Sequence, residues 1–325
     1  MMPTEECKRL LDRDLAVASA KPLIDLIVPA LHEAVDYSLW ALMRCEAAGE
    51  HDGRIHNSIP LLLFRHVIEM SDGLEVLFQH SCVVSAVPIL RSAFEAWLNL
   101  EYILKTDSER RSLAWLCCYA HQQLEYLERL DPSTPAGQEF EAVRQQEHAG
   151  DAKRHANLPK VIANLYELLA MPYMAEIEKR YQERIAQNNA SRQPGKQPAN
   201  KRLRHPHWYS LFDDLKSLRS LAARLGLESE YYLLYSKWSR LSHGNDLEAF
   251  IGSSSSGSRS FKAMRYASEL NILGALAAKF LLSALVTTTN HFRRNELMRD
   301  KWIEEMQERV RRFMHLDGEI IKYER

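Results

Sequence analysis

Apolar residues recur along this chain at three- and four-residue spacing, the period of helices packed on one face. The stretch 85–104 is apolar nearly all round and reads as a largely buried helix. On it Arg91, Glu95, Asn99 and Tyr102 fall at i, i+4, i+8 and i+11, one polar stripe on an otherwise apolar surface. Burying a charge is costly unless it is paired, so a neighbouring helix is expected to face this stripe. The preceding segment echoes the pattern. There Arg65, Glu69 and Asp72 stand at i, i+4 and i+7 among Leu62, Leu63, Val67, Ile68 and Leu74. A short connection at 80–82 makes the two helices antiparallel neighbours with a shared polar seam. The same spacing also fits a solvated ion pair on the first helix and one buried pair on the second.

The rest of the chain continues as helix after helix. Two amphipathic stretches over about 4–48 are expected to break near Lys21-Pro22, and 49–58 reads as a loop with Ser58 as N-cap. Helices are expected over about 59–80, 82–105 and 107–130, then two or three shorter ones over 138–190. Trp208, Leu211, Phe212, Leu215, Leu218 and Leu225 form a helical stripe ended by Gly226. Tyr231, Tyr235 and Trp238 mark a further helix, capped by Gly244 after His243. Gly252–Ser260 reads as a flexible loop. Helices over about 261–291 and 295–322 follow, the last packing through Trp302, Met306, Val310 and Phe313. No strand alternation and no repeat stand out, so the fold class is all-α, a multi-helix bundle.

Composition narrows the picture. The 325 residues carry 42 Lys and Arg against 43 Asp and Glu, which excludes a globally basic nucleic-acid binder. Twelve glycines and twelve prolines agree with helices over sheets. Cys7, Cys45, Cys82, Cys117 and Cys118 form no Cys-x-x-Cys pair, a usage that fits free thiols in a reducing cytosol. The first residues lack an apolar signal core, and the apolar run 270–289 is interrupted by Asn271 and Lys279, so it reads as a core helix rather than a membrane span. The expected location is cytoplasmic, without a membrane partner.

Two further segments carry candidate chemistry. In Tyr235-Ser-Lys-Trp-Ser-Arg-Leu-Ser-His-Gly-Asn-Asp246, His243 falls at an expected helix C-terminus, where the dipole favours the imidazolium. Such a histidine can exchange protons or bind phosphate, and it can equally be a good helix ending. The loop 191–207 is basic and without acidic residues. Lys201, Arg202 and Arg204, with Trp208 beyond them, match the cation-plus-aromatic chemistry of single-stranded nucleic-acid binding. They also fit a solvated connector with Trp208 anchored in the core. No phosphate loop, dinucleotide fingerprint or nucleophile elbow occurs, and no Glu-x-x-His pair supports a di-iron bundle. His148, Asp151 and His155 lack a second ligand cluster, so neither a metal nor a cofactor is expected.

The segments Leu90-Arg-Ser-Ala-Phe-Glu-Ala-Trp-Leu-Asn-Leu-Glu-Tyr-Ile-Leu104 and Tyr235-Ser-Lys-Trp-Ser-Arg-Leu-Ser-His-Gly244 together resemble a family of uncharacterised bacterial helical proteins. That family pairs an Arg-x-x-x-Glu helix with a later Tyr-x-x-x-Ser-x-x-x-His element. It is similar in outline to the HEPN (higher eukaryote and prokaryote nucleotide-binding) superfamily of small helical bundles. The resemblance covers roughly 59–105 and 229–290 and implies a HEPN-like core. It also implies a metal-independent ribonuclease of the kind found in toxin–antitoxin and antiphage systems. The chain departs from the HEPN signature, which separates Arg from His by four to six residues, because Arg240 and His243 leave two.

The reading that follows is a single mainly helical domain over 1–325. Its core spans about 59–130 and 208–325, around a variable insertion at about 131–207 that holds the basic loop. One hypothesis is a cytosolic defence or toxin-like effector acting on RNA or a nucleotide. In it Arg91 binds phosphate, Glu95 orients Arg91, Arg240 adds a second guanidinium and His243 exchanges the proton. Arg65, Glu69, Asn99, Tyr102, Tyr235 and Ser239 would support them. The alternative is a non-enzymatic interaction or regulatory bundle, whose Arg–Glu–His network sets helix register while its outer faces take a partner or a second copy as a homodimer.

Overall fold

Leu23, Ile24, Ile27, Leu31 and Val35 recur at helical spacing and are all buried, and they hold the first helix as one continuous element over Arg13–Glu50. The computed structural model describes residues 11–50, 55–144, 157–190, 205–235, 238, 251–253, 259–292 and 297–315. The break expected near Pro22 does not occur, and both Pro22 and Pro29 lie inside this helix. A proline in a helix interior costs about 3 kcal/mol. Burial of the large apolar side chains along that face, at about 1.5–3 kcal/mol each, outweighs it.

In chain order the main helices are α1 (Arg13–Glu50), α2 (Ser58–Gln79), α3 (Val83–Lys105), α4 (Ser108–Leu130), α5 (Pro135–Arg144), α6 (Leu158–Leu169), α7 (Ala175–Ala190), α8 (Leu218–Leu225), α9 (Leu270–His291) and α10 (Leu297–Met314). The fold is all-α. Its one departure among the described residues is a short antiparallel hairpin of β1 (Ile251–Ser253) and β2 (Arg259–Phe261), with Ile251 opposite Phe261. Part of the tract expected as a loop is therefore strand.

The chain divides into two compact units, residues 1–106 with 218–325, and residues 107–217. The insertion expected over 131–207 lies within the second. In the first, α9 packs against α1, α2 and α3, and α10 packs on α1 and α9. Phe64, Leu74, Phe78, Leu90, Phe94 and Phe280 are fully buried at its centre. The turn between α2 and α3 is made by Ser81, at φ 53°, whose hydroxyl donates to the Ala16 carbonyl at 3.2 Å. α1 and α9 are both long and apolar enough to cross a membrane, and the apolar window of α9 is mostly buried among its neighbours.

The second unit closes α4 against α5, α6, α7 and the short 3₁₀ turn Trp208–Ser210. Its core joins Leu113, Cys117, Leu124, Met174, Ile177, Tyr181 and Leu211. Two expected helices differ in extent. The stripe over 208–225 is not one helix, since 211–217 leave the helical path. Asp213 pairs with Arg111 at 3.3 Å and Asp214 with Arg184 at 3.4 Å, contacts that a continuous helix would have to surrender. Gly226, at φ 79°, ends α8 as expected. The helix expected from 261 begins at Leu270, after β2 and a left-handed Glu269 at φ 70°.

Candidate functional site

Half the expected stripe on α3 forms a defined cluster. The Arg91 Nε donates to Glu95 Oε1 at 3.0 Å, one helical turn along. Its Nη2 donates to the Tyr235 hydroxyl at 2.5 Å, and its guanidinium carbon lies 4.4 Å from the Tyr235 ring centre. Tyr235 sits in a π-helical turn, Tyr231–Tyr235, a wider turn that is rare and frequent at functional sites. The turn is held by rings: Tyr231 stacks on Tyr235 at 4.9 Å, while Phe94 meets Tyr235, Trp238 and Phe280. Burial pushes the Tyr235 phenol up, and the Glu95 carboxylate adds to this against the opposing Arg91 charge. The phenol therefore stays protonated at neutral pH, accepting from Arg91 while hydrogen-bonding to Glu95.

Tyr102 is fully buried. The Asn99 Oδ1 is buried without a hydrogen-bond partner among the described residues, as are both amide atoms of Asn271 on α9. A polar seam does run between α3 and α9, through a residue that the sequence reading passed over. Glu101 accepts from Trp97 Nε1 at 2.8 Å, Thr287 Oγ1 at 2.8 Å and Ser283 Oγ at 3.3 Å. The seam between α2 and α3 is thinner. His66 Nε2 meets Ser92 Oγ at 2.9 Å, whereas Arg65 pairs with Glu69 at 2.9 Å in solvent. Both face a groove of about 980 Å³ against α1, lined also by Asp36, Leu39, Met43 and Leu62.

Arg240, His243 and Ser239 lie outside the described residues, as do Lys201, Arg202 and Arg204 of the basic loop. Trp208 is described, and its ring packs against the core of the second unit. Of the expected catalytic set, the structure thus joins Arg91 to Glu95 and adds Tyr235.

A second polar cluster lies wholly within the second unit. His121 Nε2 meets Glu178 Oε2 at 2.8 Å, and the Cys117 thiol points to the same oxygen at 3.5 Å. Cys117 and His121 share one face of α4 at i and i+4, and Glu178 comes from α7. The His121 ring lies flat on Tyr181, with centroids 3.9 Å apart and planes 4° from parallel. The Tyr181 hydroxyl meets His205 Nδ1, and the other nitrogen of His205 meets Glu125, which pairs with Arg129. Burial, with Glu178 adding to it, pushes the Cys118 thiol up to about 12, and both adjacent cysteines are free. The Cys-x-x-x-His spacing was the available signal. It escaped notice because the third member stands 57 residues beyond His121.

Residues 57–259 match the model of a family of unknown function (DUF5677). No curated protein and no solved structure matches the chain.

Proposed function

We propose, for a chain that belongs to the DUF5677 family, that it acts on RNA or a nucleotide by holding phosphate at the Arg91–Glu95–Tyr235 cluster. The observation that carries this reading is the state of the Arg91 side chain. Glu95 fixes Nε, Tyr235 fixes Nη2 and the tyrosine ring supports the plane from below. Neither bond uses Nη1, and the side chain keeps 22% of its surface open. A guanidinium aimed in advance loses little freedom on meeting an anion. In this reading Glu95 orients Arg91, and His243 with Arg240 completes the site as proton exchanger and second cation. The core would be HEPN-like, and the protein a cytosolic defence or toxin-like effector without a resident metal at this site.

The test is cleavage and binding by wild type, Arg91→Ala and His243→Ala over a broad panel of RNAs and nucleotides. Loss of one positioned phosphate donor should lower cleavage by about 10²–10³-fold, with retained helicity showing that the variants fold. Wild type that neither cleaves nor binds any member of the panel removes the reading.

A second reading rests on the closure of the same cluster. Glu95 already neutralises Arg91, so the three side chains can serve as a lock that fixes the 231–235 turn on α3. The chain is then a non-enzymatic interaction or regulatory bundle. The lock predicts that Arg91→Ala lowers stability and leaves no binding event to lose.

A further inference from the structure

The geometry points to a metal site in the second unit: we propose that Cys117, His121 and Glu178 bind a single zinc-class divalent ion. The proposal is independent of the Arg91 cluster. The three donor atoms lie within 4.8 Å of one another, converging from two helices that the unit's core holds together.

Distances decide between a chance encounter and a coordination set. Zinc bonds of about 2.3 Å to sulfur and about 2.0–2.1 Å to nitrogen and oxygen, at tetrahedral angles, place sulfur about 3.5 Å from oxygen and nitrogen about 3.3 Å from oxygen. The Cys117 Sγ stands 3.5 Å from Glu178 Oε2, already at that separation. The His121 Nε2 to Glu178 Oε2 distance of 2.8 Å is that of a direct hydrogen bond. An entering ion would replace this bond and open the pair by about half an ångström. It would also hold the sulfur and the imidazole nitrogen, which lie within 4.8 Å of each other, at about 3.5 Å.

The donor chemistry narrows the ion. One thiolate, one imidazole and one carboxylate form a borderline-soft set suited to zinc or cobalt, and unlike the all-oxygen shells of calcium and magnesium. Outer contacts are those that orient ligands elsewhere. Gln182 Nε2 donates to the free Glu178 Oε1 at 2.7 Å, and the Tyr181 ring fixes the plane of His121. Cys117 is fully buried, while His121 and Glu178 keep 18% and 26% of their side chains open, so an ion has a way in. Three protein ligands leave one coordination position for water or a small ligand.

The experiment uses the full chain, purified metal-free under reducing conditions and titrated with zinc against a chromophoric chelator, then with cobalt. The expected result is one equivalent bound per chain, with a thiolate-to-cobalt charge-transfer band in the near ultraviolet. Cys117→Ser should abolish that band, and Glu178→Gln and His121→Ala should each weaken binding at least 100-fold. The neighbouring Cys118→Ser should leave both unchanged, and Gln182→Ala should cost about 10–100-fold. Wild type that takes up no stoichiometric zinc or cobalt overturns the proposal without any variant having to fold. A charge-transfer band that persists in Cys117→Ser overturns it as well.

Discussion

The Arg91 guanidinium lies over the Tyr235 ring and donates to the hydroxyl of that same ring, across 144 residues of sequence. One side chain thus makes two different attractions to one partner. The ring contributes its quadrupole and the hydroxyl a directed bond, so the two can be separated. Tyr235→Phe keeps the ring and should cost about 0.5–1.5 kcal/mol. Arg91→Ala removes both attractions and leaves Glu95 without its counter-charge, at about 1–3 kcal/mol given the partial exposure of the pair. Urea midpoints of the two singles and the double give the coupling, and strict additivity would show that the contact does no energetic work.

Glu101 makes a sharper case. Its carboxylate receives an indole N–H and two hydroxyls from α3 and α9. Glu101→Ala strands three donors in a half-buried seam and should destabilise by about 2–4 kcal/mol. Glu101→Gln keeps an acceptor oxygen and should cost less than half as much. Equal denaturation midpoints for the two variants would mean that water replaces the carboxylate without penalty.

At Gly274, α9 makes a close approach to α1. A methyl group there would stand 2.7 Å from Ile27 Cγ2, 3.1 Å from its Cδ1 and 3.2 Å from its Cγ1. Gly274→Ala should therefore lower stability by about 1–3 kcal/mol, although alanine is the better helix former. In an Ile27→Ala background the same change should be neutral or favourable. Thermal melts of the four proteins settle it, and an equal penalty in both backgrounds would rule out the clash.

Acid should loosen α10 from α1. The hydrogen bond from Arg309 holds the Glu33 carboxyl below its usual range, Trp302 adds to this, and burial works against it. A carboxyl depressed by folding contributes stability above its unfolded value, about pH 4.3. That contribution is lost as pH falls through the lower folded value. Glu33→Gln should thus differ from wild type in urea midpoint at pH 7, with the gap closing on acidification below about pH 4. A gap that stays constant down to pH 3 would show that the ion pair carries none of it.

Much of the fold was legible because helical periodicity survives in single sequences. The boundaries of α2, α3 and α4 fall within a residue or two of expectation. What the pattern hid were competitions settled by tertiary contacts. Pro22 reads locally as a break, yet the buried face running through Leu23 and Ile27 carries the helix past it. Leu211 and Phe212 continue an apolar stripe, yet the ion pairs of Asp213 and Asp214 take that chain out of the helix. The Arg91–Glu95 pair is visible as i, i+4 spacing, and Tyr235 is expected in support of that site, though not as a direct hydrogen-bond partner of Arg91. Glu101 and the Cys117–His121–Glu178 set were missed for one reason. Each has one partner at local i, i+4 spacing, Trp97 for Glu101 and Cys117 for His121. But Ser283, Thr287 and Glu178 lie on helices distant in sequence, and no local spacing encodes that meeting.

The first unit is assembled from two separated lengths of chain, with α9 closing onto α1, α2 and α3. During synthesis the second unit is an unbroken segment and can finish folding as it emerges. The first three helices must meanwhile wait, with Phe94 and Trp97, whose rings meet Phe280 of α9, left without that cover until the distant α9 leaves the ribosome. Premature truncation before residue 270 should therefore yield insoluble product, even though the intervening segment is intact.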